Sequence, residues 1–210
     1  MHVPRLVADL CRPLFALMIM SALAGCAYGG LGPPQPHYLQ FNAQAPQGNT
    51  VTVCSGYGCR YKQPFTFTHH DIAALSGIVD ARRVRTAGEE RRAIARAIAW
   101  IENRVGRETG TWQDRAGIDL AGSGDRTQMD CVDEATNTTS YLSVLAAHGL
   151  LTHHEVLRPM AKDGVGRWTH YFAIIRDTTS GQRWAVDSSM RPNGAEPIIR
   201  EAEKYYVDLS

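Results

Sequence analysis

The sequence lacks any strong excess of charge and any block of basic residues. Its 22 Lys and Arg residues against 21 Asp and Glu residues give a formal net charge of +1, which argues against a nucleic-acid-binding surface. Beyond the N-terminal leader, no segment approaches the about 20 apolar residues that cross a bilayer. Cysteine is also scarce. There are five cysteines and no Cys-x-x-Cys pair, which excludes a four-cysteine zinc site.

The N-terminus has the pattern of a bacterial signal peptide. Arg5 and Arg12 mark a short charged region, and residues 14–24 form an apolar core too short to span a membrane. The Leu-Ala-Gly-Cys sequence ending at Cys26 resembles a lipoprotein lipobox, which implies that Cys26 is lipidated. Ala27, in place of aspartate, then favours the outer membrane over the inner one. The alternative is an ordinary secretory signal; by either route the protein enters a compartment in which disulfides form.

The chain is expected to divide into three parts. Residues 1–25 form the lipoprotein signal peptide. Residues 26–46 contain glycines and prolines, which predict a flexible, extended tether. Residues 47–210 have the length of one domain that can bury a core.

Cys54 and Cys59 lie in a short segment that predicts a β-hairpin. Residues 47–67 alternate β-forming residues with turn formers, and glycines separate the two cysteines. We expect a Cys54–Cys59 disulfide; the alternatives are a redox pair or two metal ligands. Cys131 is then left without a partner.

Two helices are expected next. The first covers residues 69–79 with Thr68 as its N-cap, and the second begins near Thr86. The second carries an apolar stripe at helical spacing, formed by Ile94, Ala97, Ile98, Ile101 and Val105. Its other face is charged and is expected to be solvated, with Glu89, Glu90, Arg91, Arg92 and Arg96. A loop is expected over residues 106–124.

A third helix is predicted to begin at Cys131, with Asp130 as its N-cap and Gly149 just beyond its end. Unpaired backbone N–H groups and the helix dipole at this position favour an anion, here a thiolate. Asp130, Asp133 and Glu134 crowd the same turn and oppose that charge. Their expected role is capping; the alternative is that they bind a cation such as calcium.

His170 is the best candidate for the base that the cysteine needs. It lies in an apolar segment typical of a central strand, where a histidine requires a buried polar partner. His148 is excluded because it is about 25 Å along the helix from the thiol. His153 and His154 open another strand-like segment and leave one weaker rival.

Asp187 is the expected partner of His170. Residues 178–181 predict a hairpin loop. If Asp177 faces Gln182, Phe172 faces Asp187, and His170 and Asp187 share one face of the sheet as diagonal neighbours. The acid would orient the imidazole, as in catalytic triads.

This ordered set of Cys, His and Asp resembles the transglutaminase-like branch of the papain superfamily. It is most similar to bacterial transglutaminase-like cysteine proteases, which carry a Gly-Asp-Cys-Glu-Asp motif; here residues 129–133 read Met-Asp-Cys-Val-Asp. The likeness covers residues 89–187. It implies an α+β fold with a papain/transglutaminase-like core, in which the catalytic cysteine begins a central helix packed on an antiparallel sheet. It also implies Cys131 as nucleophile, His170 as general acid and base, and Asp187 as its orienter.

These observations lead to the hypothesis of a periplasmic, lipid-anchored cysteine hydrolase. It would cleave a peptide or isopeptide bond of an envelope protein or peptide through a thioester, and its acyl anchor would hold it to the bilayer. No cofactor is required, although acids beside the cysteine bind calcium in the family; Asp130 matches such an acid, and Val132 replaces the other. The alternatives are a cell-wall peptidase and a non-catalytic, transglutaminase-like envelope-binding lipoprotein.

Overall fold

The computed structural model describes residues 27–80, 82–117, 120–163 and 169–205, which form an α+β domain with antiparallel sheets. Its helices and strands are β1 (Ala27–Gly29), α1 (Gln35–Gln40), β2 (Thr50–Ser55), β3 (Tyr61–Thr66), α2 (His69–Ile78), α3 (Ala87–Thr109), α4 (Cys131–Ala147), β4 (His154–Asp163), β5 (Thr169–Asp177), β6 (Arg183–Asp187) and β7 (Ile198–Glu201). One sheet has the order β1-β4-β5-β6-β7, and β2 and β3 form the other. None of the described helices combines the length and the apolar character that a membrane crossing demands.

Helix α4 lies at the centre of the domain. The Asp130 side chain accepts a hydrogen bond from the Asp133 N–H, and the Asp133 side chain accepts one from the Asp130 N–H, which completes a capping box. The helix ends before His148 and Gly149, and Gly149 has the left-handed φ of 68° that suits glycine there. The sheet, α3 and the β2–β3 hairpin all contact α4, so nearly all of its residues are buried.

Because α4 is buried, several of its polar side chains bond to neighbouring segments. Asn137 accepts a hydrogen bond from the Cys54 N–H at 2.7 Å and donates one to the Cys54 carbonyl at 2.9 Å. It therefore acts as a strand partner for β2. Thr138 shares a hydrogen bond with Ser188, just after β6, at 3.2 Å. These contacts satisfy groups whose burial would otherwise be costly, and they fix the hairpin and the sheet against one helix.

Several expected elements are confirmed. The β2–β3 hairpin forms, α2 begins after the Thr68 cap, and α3 begins after Thr86 with its apolar stripe buried. The loop expected over 106–124 begins later than predicted, because α3 continues to Thr109 and ends at left-handed Gly110. The expectation of a solvated face is wrong for Glu90, which is fully buried.

The expectation of a flexible tether over residues 26–46 is wrong for its described part. Strand β1 pairs with β4, and α1 packs on α4 through two buried hydrogen bonds. His37 Nε2 lies 2.8 Å from Thr136 Oγ1, and Tyr38 Oη lies 3.0 Å from Ser140 Oγ. The glycines and prolines shape the turns of a docked segment, because the polar side chains of α4 offer it partners.

We predict that Tyr38→Ala lowers the free energy of unfolding by about 3 kcal/mol or more, since it removes a buried ring and leaves Ser140 without this partner. Leu39→Ala is the matched control. Leu39 is 72% exposed, so its loss should change the free energy by less than about 0.5 kcal/mol. Urea denaturation in the absence of lipid measures both; similar losses would contradict the docking of α1.

Candidate active site

Cys131 occupies the first position of α4, as predicted, and is half-buried. Its Sγ lies 3.8 Å from the Thr169 carbonyl oxygen at the start of β5, and the thiol lies close enough to the His170 ring to help raise the pKa of that ring. Because Cys131 is the first residue of the helix, its backbone N–H has no partner within α4. Thiol, imidazole and an N–H donor therefore meet where α4 and β5 begin.

The β5–β6 register brings His170 and Asp187 together as expected. The Asp177 N–H donates to the Gln182 carbonyl, and the ladder continues to the pair Ala173 and Val186. His170 Nε2 consequently lies 2.7 Å from Asp187 Oδ2, and both side chains are buried. The orienting role predicted for Asp187 has the required geometry.

Two further residues hold Asp187, and sequence reasoning missed both. Tyr205 Oη donates to Oδ2 at 2.6 Å, and Ser189 donates to Oδ1 from its N–H and its hydroxyl. The segment that carries Tyr205 is itself fixed, because Lys162 Nζ donates to three backbone carbonyls of residues 202–205. No periodicity or motif marks Tyr205 in the sequence; its role depends on the path of the chain after β7.

His170 is held in its charged form. Burial disfavours the imidazolium, but hydrogen bonds with Asp187 and Cys131, together with their charges, outweigh this and raise the pKa of His170 to about 9. The ring can therefore carry a proton beside the thiol near neutral pH.

Asp130 and Asp133 bind a strained loop between β2 and β3. Residues 56–59 all have positive φ, although two of them, Tyr57 and Cys59, are not glycine. Their N–H groups converge on the two carboxylates: those of Tyr57 and Cys59 reach Asp133 at 2.8 and 2.6 Å, and that of Gly58 reaches Asp130 at 3.0 Å. Such a nest of N–H groups favours the charged carboxylate. Burial, followed by the charge of Asp130, outweighs this and raises the pKa of Asp133 to about 8. The expected Cys54–Cys59 disulfide closes this loop.

Glu134 is buried among other acidic side chains. Burial, followed by the charges of Glu102, Asp114, Asp187 and Asp133, raises its pKa well above the usual range. Burial likewise raises the pKa of Glu102 and of Asp114 to about 7. Among the described residues, one oxygen of Glu102 and one of Glu134 has no hydrogen-bond partner. Glu134 therefore adds little negative charge beside Cys131 at neutral pH.

The three acids near Cys131 do not form a common ligand sphere. Within the described ranges, the one group of three candidate ligands whose atoms lie within 4.8 Å is Cys54, Cys59 and Asp133. Two of these are joined in the disulfide. The alternative of a calcium site formed by Asp130, Asp133 and Glu134 gains no support from this geometry.

The rival histidines have other partners. His154 is buried, with Nδ1 2.7 Å from Glu90 Oε2 and Nε2 3.1 Å from Arg91. His148, at the far end of α4, contacts Asn49.

Gln128, which lies shortly before the cysteine in the chain, donates a hydrogen bond from its amide to the Gln113 carbonyl at 2.9 Å. Its side chain is therefore bound to the preceding loop.

The N-terminal segment forms one wall of the site, a second feature that sequence reasoning missed. Tyr171 Oη lies 2.8 Å from Tyr28 Oη and accepts a hydrogen bond from Gln40 at 3.4 Å. The Phe41 ring packs edge-on against Tyr171. Burial, then the Tyr28 hydrogen bond, raises the pKa of Tyr171 to about 12, and the charge of nearby Cys131 adds to this.

Cys26, the expected lipidation site, lies outside the described residues. The chain matches no protein-family model, no curated protein and no solved structure.

We predict that Asp187→Asn lowers the pKa of His170 from about 9 towards its ordinary value of 6.5, because the asparagine keeps the shape but removes the charge. NMR titration of the His170 ring measures it. Because the pKa of His170 is raised in the folded protein, its protonation adds to the free energy of unfolding. This contribution is fully present below pH 6.5 and is lost as the pH rises through about 9. A His170 pKa that is the same in both proteins would contradict this electrostatic coupling.

We also predict opposite effects at two buried glutamates. Glu134 binds more protons in the folded than in the unfolded state above pH 4.5, so its contribution to stability falls as the pH rises. Glu134→Gln should then stabilise the protein by about 1 kcal/mol or more at pH 8, and by less at pH 5.

Glu90→Gln is the matched control. Glu90 accepts hydrogen bonds from Thr152, His153 and His154, which hold its pKa below the usual range despite burial. This substitution should destabilise at pH 8, with a smaller loss at acid pH. Urea denaturation of both variants at pH 5 and pH 8 measures these changes in the free energy of unfolding. Changes of the same sign at pH 8 would contradict the raised pKa of Glu134 and the lowered pKa of Glu90.

Proposed function

We propose that this chain is a cysteine hydrolase that cleaves a peptide or isopeptide bond through the triad Cys131, His170 and Asp187. The observation that carries the proposal is the buried 2.7 Å hydrogen bond between His170 and Asp187, on a ring whose pKa the nearby thiol of Cys131 also raises. A purely structural histidine would not need an unpaired cysteine at a helix N-terminus beside it.

The reaction follows from these positions. Sγ of Cys131 bonds to the carbonyl carbon of the substrate while His170 holds the proton of the thiol. The imidazolium gives this proton to the leaving nitrogen, the C–N bond breaks, and an amine departs from a thioester. Neutral His170 then takes a proton from water, whose oxygen attacks the thioester. The acid product leaves, and the proton returns to Cys131. Asp187 keeps the ring oriented and stabilises its charge in both steps.

The backbone N–H of Cys131 supplies one donor to the oxyanion in each step. It belongs to the first turn of α4, where the helix dipole also favours negative charge.

We further propose that the core belongs to the transglutaminase-like branch of the papain superfamily. The α+β class, the cysteine at the start of a central helix, and the histidine and aspartate on the paired antiparallel strands β5 and β6 support this. The substrate would be a protein or peptide of the cell envelope, and Cys26 would carry the acyl anchor on the periplasmic side.

We predict that Cys131→Ala abolishes hydrolysis and labelling by a thiol-directed inhibitor, and that His170→Gln lowers hydrolysis by about a thousandfold or more. A proteomic comparison of envelope fragments from cells with wild-type or Cys131→Ala protein identifies the cleaved bond. Rates are then measured on a peptide that contains this bond.

His148→Gln is the matched control, because His148 lies at the other end of α4 and contacts Asn49; its rate should equal that of the wild type. Fragments that are identical in the two strains would contradict a hydrolase and leave a non-catalytic envelope-binding role. Fragments confined to peptidoglycan would instead identify a cell-wall peptidase.

A further inference from the structure

The chain enters the domain beside the catalytic histidine. In β1, Ala27 pairs with Lys162 of β4, and Lys162 pairs with His170 of β5. The three residues form one row across the sheet. Since neighbouring strands lie about 4.8 Å apart, the backbone of Ala27 is about 10 Å from that of His170.

This entry point is fixed rather than tethered. Tyr28 is hydrogen-bonded to Tyr171, next to His170. The Gly30 N–H donates to the Pro159 carbonyl at 3.2 Å, and the Gly30 carbonyl accepts from Arg183 at 3.0 Å. A free chain of about 20 residues could place an anchor as far as about 66 Å away. The docked segment removes almost all of that reach.

Cys26 is joined to Ala27 by one peptide bond, which adds about 3.8 Å. An acyl group on Cys26 would therefore begin within about 14 Å of the His170 backbone. We propose that the active site is held against the bilayer surface, and that its substrate is the membrane-proximal segment of an envelope protein. This inference rests on the proposed lipidation and on the proposed hydrolysis.

The surface around the entry point suits a lipid headgroup region. Tyr28, Leu31 and Leu39 are 42%, 65% and 72% exposed, and all belong to the docked segment that follows Cys26. Partly exposed tyrosine and leucine beside an acyl chain are the residues that settle at a membrane interface. Arg158 is held against this segment by hydrogen bonds to Gly32 and Gln40, where it would attract anionic headgroups.

Energy transfer from Cys131 to headgroup-labelled lipid tests the geometry. Cys131 is the one free cysteine in the described ranges, so it can carry the donor in full-length lipidated protein reconstituted in phosphatidylethanolamine–phosphatidylglycerol vesicles. The matched control is Thr179→Cys in a Cys131→Ser background. Residue 179 lies beyond the other end of β5, about 26 Å along that strand.

We expect strong transfer from Cys131 and weak transfer from position 179. A linker of about 15 glycine and serine residues between Cys26 and Ala27 should free the domain from the surface, with loss of the transfer from Cys131. Equal transfer from the two positions, or transfer that survives the linker, would overturn the inference and leave the hydrolase intact. An N-terminal peptide without acyl groups in the mass spectrum would overturn the anchor itself.

Two further measurements test the occupant and the substrate. Leu31→Ser with Leu39→Ser should weaken the transfer; unchanged transfer would overturn the contact of this surface with lipid. A membrane-anchored reporter should be cleaved when the target segment adjoins the bilayer, and spared when a long helical spacer lifts it away. Equal cleavage of the two reporters would overturn the substrate class, while loss of both in Cys131→Ala confirms that the cleavage is due to this site.

Discussion

The burial of α4 is the constraint on which the rest of the structure depends. A helix surrounded by sheet, hairpin and docked N-terminal segment cannot leave its polar side chains to water, so most of them bond to neighbouring segments or to carbonyls of the helix itself. Asn137 hydrogen-bonds to the backbone of Cys54, and Ser140 hydrogen-bonds to the Tyr38 hydroxyl. The same helix begins with Cys131. The contacts that hold the domain together therefore also hold the proposed nucleophile.

The three acids around Cys131 present an electrostatic conflict that burial and backbone dipoles largely resolve. Burial keeps Glu134 mainly neutral, and burial with the charge of Asp130 raises the pKa of Asp133 to about 8 although the N–H groups of the loop favour its charged form. Neither arrangement needs a cation. What remains next to the thiol is the charge of His170, maintained by Asp187. The site thus keeps Glu134 neutral and keeps His170 and Asp187 as a charged pair beside the thiol.

Much of this arrangement could be predicted from local patterns. Helical spacing and capping residues identified α2, α3 and α4, and turn chemistry gave the register that pairs His170 with Asp187. Features that depend on distant contacts could not be predicted. Tyr205 reaches Asp187 only because the chain folds back after β7. The glycine- and proline-rich N-terminal segment docks because hydroxyl groups of the buried helix α4 hydrogen-bond to it. The composition of the segment alone does not predict those partners.

The loop of residues 56–59 links the chemistry of the site to the redox state of its surroundings. Its positive φ angles cost energy, and the Cys54–Cys59 bond keeps the loop in that conformation against the cap of α4. Reduced cysteines would leave the N–H groups free to turn away from Asp133 and Asp130, and the turn that carries Cys131 would lose its outer support. If the chain acts as proposed, an oxidising compartment would be needed to complete the site, and maturation of the thiol site would be delayed until the chain has left reducing conditions.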